Sequence, residues 1–430
     1  MHSQQFLIGE AKSLLTRLNL LKPFALTMPM VNAANVTNEA LKEITNLLLA
    51  GNKELKLRVH RFILRLKNEH NISPEDAQSH YAILKLRFNA LLDSLDIFAD
   101  VLSQRAEHDT GVWVAGLDVL ATEALNLKGN YYTSPPLVCF LERGHGAAIR
   151  KARTRLPGGE LNPVAVIQVP RERMVSSGIA SSLIHEVGHQ GAALLNLIES
   201  LREAIKHKQQ DGSFPTAWKL YNRWISEIIA DYWAMAHLGI GATLGLINVV
   251  SLPRYFMFRI KLDDPHPFPW IRVKLSLAFG KAFYPDPQWE HLEQLWAAMY
   301  PLEKLDLNSK QIINELEECM PDFVQLLMQH QTKNTRQKPL CEIFPYRNRQ
   351  PEMLRQLYAQ WREHPSAINH ASPVLLFAVI GQAHSDGSIG ADEESQVLSQ
   401  YLTQWALLRS ESRSLKQNNN TIKQIQELIN

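Results

Sequence analysis

Cysteine is scarce in this 430-residue sequence: Cys139, Cys319 and Cys341 are odd in number, far apart and without metal-type spacing. That argues against a disulfide framework and fits reduced thiols in a cytoplasm, where we expect the chain to reside. Net charge is nearly absent too, at +2, so no global field draws the chain to nucleic acid or acidic membranes. No internal repeat is visible, and MHSQQFLIGEAKSLLTRLN lacks the charged, apolar, then small-residue succession of a secretory signal. Long apolar runs are missing with one exception, YWAMAHLGIGATLGLINVVSL at 232–252, which has the length of a membrane span. His237, Asn248 and three glycines after Leu238 interrupt it. A buried helix and loop is the favoured reading, and membrane association the less favoured one.

What is present is the composition of a soluble globular protein, 45% hydrophobic and 20% charged. Apolar residues at three- and four-residue intervals make residues 1–128 a helical region. Within it, Ser73 and Pro74 open a helix running to Leu102. The stretch 53–67 sets Lys53, Lys56, Arg58, Arg61, Arg65 and Lys67 opposite Leu57, Phe62, Leu64 and Leu66. We read it as a solvated face; binding to nucleic acid, the rival reading, predicts affinity that falls steeply with salt. The β signal lies in IRKARTRL (149–156) and VAVIQVP (164–170), two strands of a hairpin joined by PGGELNP. The expected fold is mainly α with a small antiparallel β-sheet (α+β), arranged as helices 1–128, a central domain 129–328, a polar, proline-broken linker 329–350 and a C-terminal helical module 351–430.

The chemistry concentrates in SSLIHEVGHQGAALLNL, residues 181–197. His185 and His189 are four apart, so on a helix they share one face and offer two imidazole nitrogens to one ion. Leu183, Ile184, Val187 and Leu194 imply that this helix is buried, where histidines and a glutamate need partners. A catalytic zinc requires a third protein ligand. WISEIIADYWAMA supplies Glu227 and Asp231, again four apart in an apolar frame. We read Glu227 as the third ligand and Asp231 as the acceptor that fixes the tautomer of a ligating histidine, with His237 and His207 as weaker ligand candidates. Glu186 stands beside the metal rather than on it, the position of a general base for metal-activated water.

HEVGH followed by EIIAD and then HPFPWIRV (266–273) resembles the HExxH, ExxAD and HP-R succession of gluzincin metallopeptidases of the HtpX-type and CAAX prenyl protease family. The resemblance covers roughly 150–280 and implies a zincin-like domain holding one Zn2+ per chain and hydrolysing peptide bonds in a protein or peptide substrate. It also implies that His266 and Arg272 act near the substrate carbonyl or support the site. Val273 replaces the family's usual isoleucine, and no paired transmembrane helices precede the motif, which argues against membrane-embedded substrates. His266 is our candidate for stabilising the oxyanion, ahead of Tyr232 or Tyr255. The strand 164–170 is expected at a sheet edge where an extended substrate can pair. The extra helical mass at the N-terminus suggests a cover over the cleft.

In the C-terminal module, HSDGSIGADEE (384–394) carries half of a calcium loop, but the loop's first and third positions fall on Gln382 and His384. The same stretch resembles tellurite-resistance-protein-B-like helical domains, with Ser385 in place of alanine before Asp386, which implies docking of a protein partner. RSESRSLKQNNNT (409–421) reads as a connection to a short last helix. The rival to catalysis is a scaffold that keeps zinc for stability and works through its helical flanks; such a protein has no need of Glu186.

Overall fold

The computed structural model describes residues 3–429 apart from 70, 143–145, 171–175 and 211, with side chains described as far as 412. The long helices Ser3–Leu20, Asn38–Asn68, Pro74–Ser103 and His108–Leu125 dominate its start. Two carry side-chain caps: Thr37 accepts a hydrogen bond from the Ala40 amide, and Ser73, the expected cap, accepts from the Asp76 amide, with Pro74 in the first turn. Asn38–Asn68 buries Leu55, Val59, Phe62, Ile63 and Leu66. Leu57 and Leu64, expected on that apolar face, are instead 49% and 56% exposed.

The sheet has three strands, β1 (Leu137–Glu142), β2 (Ala148–Arg150) and β3 (Ala165–Pro170), in the order β1-β3-β2. It is mixed rather than purely antiparallel. β2 and β3 form the expected antiparallel pair, Ile149 opposite Ile167, but β2 is shorter than the expected strand 149–156. An isolated bridge, Arg155 to Leu161, closes the turn where Gly158 and Gly159 take positive φ. β1 runs parallel to β3 from Leu137 opposite Ala165. β3 is thus the central strand, and the expected pairing of substrate with it as an edge is corrected: the outer strands are β1 and β2.

Alternation along β3 divides the molecule. Ala165, Ile167 and Val169 face a large core that includes Ile184 and Val187, whereas Val164 and Val166 face Phe98, Val101 and Leu102. The helices Ser3–Leu20, Asn38–Asn68 and Pro74–Ser103 therefore belong to cores on the side of the sheet away from the motif helix, so the idea that they cover the cleft is corrected, whereas His108–Leu125 shares the core of the motif helix.

The 232–252 stretch is broken at Gly239 (φ 58), which separates Pro215–Leu238 from Ile240–Val250. Among the described residues no helix is long and apolar enough to cross a membrane. Residues 340–349, inside the expected linker, are built into the core. Leu340, Ile343 and Phe344 are buried, Phe344 meets the rings of Tyr232 and Trp233, and Arg349 donates to the His237 carbonyl at 2.7 Å. Farther on, Pro373–Ser385 packs on Ile240–Val250 so closely that a Cβ on Gly381 would lie 2.9 Å from the Gly241 Cα. The last helix runs unbroken as Ala391–Ile429, without the expected connection at 409–421.

Candidate metal centre

The motif sits on Gly178–Leu194 and its partner carboxylates on Pro215–Leu238, which we call the motif helix and the carboxylate helix. Their contact depends on two glycines inside the motif. A Cβ on Gly188 would fall 2.8 Å from the Trp233 Cβ and 2.9 Å from the Ala230 Cα, and one on Gly191 would enter the Trp233 ring. Without side chains at those positions the helices approach closely, and the histidine face meets the carboxylate face. Trp233 is fully buried and its indole donates to the Ala124 carbonyl at 3.1 Å, so it cannot retreat. We expect Gly191→Ala to destabilise the chain by about 1–3 kcal/mol, as overpacked cores do. An unchanged urea midpoint for that variant would refute the close-packing argument.

At the interface, the Glu227 carboxylate lies between the two imidazoles: Oε2 is 3.4 Å from His185 Nε2, and Oε1 is 3.5 Å from His189 Nε2. Ligand atoms of these three residues all fall within 4.8 Å of one another, and they are the one such group among the described residues. Tetrahedral zinc with bonds of about 2.0–2.1 Å requires ligand atoms about 3.3–3.4 Å apart. The two separations, each to a different oxygen of Glu227, are close to that value.

The supporting contacts fix which nitrogen is offered. His185 Nδ1 donates to Asp231 Oδ1 at 2.7 Å, leaving Nε2 on the Glu227 side. Asp231 is held in turn by Arg272, whose Nε donates to Oδ2 at 2.6 Å and Nη2 to Oδ1 at 2.9 Å. Of its two expected roles, Arg272 fills the supporting one. For His189, the Ser226 hydroxyl lies 3.4 Å from Nδ1.

Charge is unevenly shared between the imidazoles. Burial lowers the His185 pKa, but its contacts with Asp231 and Glu227 outweigh this and raise it to about 9. His189 is lowered to about 4 by burial and by the His185 charge. Glu227 is lowered to about 2, its burial overcome by His185, His189 and Arg272. Asp231 is held well below the usual carboxylate range because Arg272 and His185 outweigh its burial. Glu186 goes the other way: burial raises its carboxyl, and among the described residues no hydrogen-bond donor holds it.

His266 is at the rim, with its side chain 57% exposed and Nε2 3.7 Å from Glu227 Oε2. Its Nδ1 donates to Asp264 Oδ1 at 3.0 Å, an orienting contact that the sequence stretch DDPHP contained and the reading missed. The weaker candidates are elsewhere. Tyr232 is buried among Phe279, Phe283 and Phe344, and Tyr255 is a surface residue. His237 stacks on Trp233, and neither it nor His207 joins the cluster. The calcium half-loop holds no metal group among the described residues; its Asp386 pairs with Arg355 at 3.1 Å.

One contributor was not foreseen. Glu394, 1% exposed, accepts from the Ser177 amide at 2.6 Å, immediately before the motif helix, and its other oxygen is 2.7 Å from His384 Nδ1. The acid of the C-terminal turn thus caps the helix that carries the histidines. Compared with protein-family models, curated proteins and solved structures, the chain finds no match.

Proposed function

We propose that the chain is a zinc-dependent endopeptidase of gluzincin type. The observation that carries the proposal is the His185, His189 and Glu227 constellation, with ligand atoms all within 4.8 Å of one another and a buried carboxylate, Glu186, adjoining it and engaged by no donor among the described residues. Two nitrogens and an oxygen suit zinc, and His185, His189 and Glu227 would hold it. When bound, zinc supplies a Lewis acid that polarises a peptide carbonyl and makes water acidic near neutral pH.

The chain's own groups do the rest in this reading. The Glu186 carboxylate accepts a proton from the attacking water and returns it to the leaving amine nitrogen. Asp231 and Arg272 keep His185 Nε2 aimed at the ion. His266, with Nδ1 tied to Asp264, presents Nε2 to the oxygen of the reacting carbonyl. An extended substrate pairs with the outer edge of β2, since the Ala152 amide that follows that strand donates to Gln190 Oε1 at 2.8 Å, one residue from His189. The three free cysteines agree with a cytoplasmic location.

Metal analysis by mass spectrometry tests the reading. We expect one zinc per purified chain, lost in both His189→Ala and Glu227→Ala. An absence of zinc from the parent, even after supplementation, would remove the basis for a peptidase.

A further inference from the structure

The face of the carboxylate helix that bears Glu227 continues toward the helix start into a cleft of about 800 Å³. Arg223 is four residues before Glu227 and Lys219 eight, about 6 and 12 Å along the axis. Pro265, next to His266, forms part of the wall, so the cleft opens beside the candidate metal centre. The charged residues lining it, Arg202, Lys219 and Arg223, are all cations; no carboxylate lines it among the described residues.

These cations keep their charge available. Arg223 donates to the main-chain carbonyls of Asp263 and Asp264, contacts that use its N–H groups without neutralising it. Arg202 meets Glu199 only in a loose surface pair at 3.5 Å. Lys219 is exposed and makes no ion pair among the described residues. Two of the nearby acids are engaged elsewhere: Glu315 accepts from the Thr216 and Ala217 amides, and Asp264 holds His266. The cleft wall also offers an unanswered acceptor, since Asn222 Oδ1 is buried and receives no hydrogen bond among the described residues.

We infer that this cleft is a subsite for acidic side chains, and that the substrate class is peptides carrying Asp or Glu two to four residues to one side of the cleaved bond. The distance follows from an extended chain, which advances about 3.3 Å per residue and covers the 6–12 Å from Glu227 in two to four steps. The inference rests on the peptidase reading for its position relative to the cleaved bond, whereas the preference for acidic peptides is separable from catalysis.

The experiment uses the full zinc-loaded chain and quenched fluorescent peptides identical except for Glu, Gln or Lys at positions two to four on either side of the scissile bond. On one side only, the Glu peptide should be cleaved with kcat/KM at least fivefold above the Gln peptide and further above the Lys peptide, and the advantage should shrink with added salt. Lys219→Glu should abolish or reverse the order, with its zinc content reporting that the site is intact. In parallel, fluorescence anisotropy of a labelled Glu peptide is measured on Glu186→Gln and on Glu186→Gln with Lys219→Glu. Cleavage at equal rates whatever the charge overturns the subsite and leaves the peptidase standing. Failure of the parent to cleave any peptide, with salt-sensitive binding that Lys219→Glu weakens, supports the subsite and overturns the peptidase. Loss of neither cleavage order nor binding on Lys219→Glu overturns the subsite.

Discussion

Glu186→Gln is expected to keep one zinc per chain and to cleave peptides about 10²–10⁴-fold more slowly, the range that a positioned acid–base group contributes. The substitution preserves shape and removes only the capacity to accept a proton. Because Glu186 is not among the grouped ligands, metal content should not follow activity. The pH profile adds a second readout. A base works deprotonated, so activity is present above the folded pKa of Glu186 and is lost as pH falls through it. Burial raises that carboxyl, whereas a bound dication beside it lowers it, so the position of the limb reports the balance of the two. The residual rate of Glu186→Gln should lack this limb. Equal turnover by parent and variant would refute the assignment and favour the zinc-retaining scaffold.

The second large effect concerns a pair that need never touch substrate. Arg272→Met leaves Asp231 buried beside His185 without its bidentate partner, and breaking a buried ion pair from one side costs about 3–5 kcal/mol. Zinc affinity should fall about 10–100-fold as well, as it does when the support of a ligating histidine is removed. The pH dependence follows from the depressed carboxyl. Asp231 has a folded pKa far below its unfolded value of about 3.9, so its contribution is fully present above about pH 4 and is lost as pH falls toward the folded value. Without Arg272 the folded pKa moves up toward the unfolded value, so this contribution is smaller and the loss of stability below about pH 4 should be shallower than in the parent. Adding Asp231→Asn to Arg272→Met should recover part of the stability, because the stranded charge is then gone. Urea unfolding of the parent and the two variants across pH 3–7 measures this, and parental stability in Arg272→Met would show that the pair contributes nothing.

Both effects concern residues whose placement was legible to different degrees. The shared face of His185 and His189, and that of Glu227 and Asp231, follow from helical spacing, and the structure brings the two faces together. The approach itself was not readable from spacing, since it depends on Gly188 and Gly191 meeting Trp233 from another helix. Arg272 and His266 came only from a motif resemblance, and geometry was needed to see that one braces Asp231 while the other stands at the rim. β1 escaped notice because LVCFLE is apolar without alternation, as a strand covered on both faces is. The 329–350 stretch misled by composition: its basic and proline residues conceal Leu340, Ile343 and Phe344, which lie in the core. Helical spacing gave no sign of the cleft beside Lys219 and Arg223, because Leu262 and Pro265 of a separate loop form part of its wall.

The contact between Ser177 and Glu394 sets an order of events in synthesis. The two residues are 217 positions apart, and a ribosome adds about 5–20 residues per second. For roughly 10–40 s after Ser177 is joined, the partner for its amide does not yet exist, although both histidines and Glu227 are soon present. A nascent chain therefore carries its candidate metal ligands long before it can finish the helix that bears two of them. Completion waits until Glu394 has been made, so a chain halted before that residue lacks the cap.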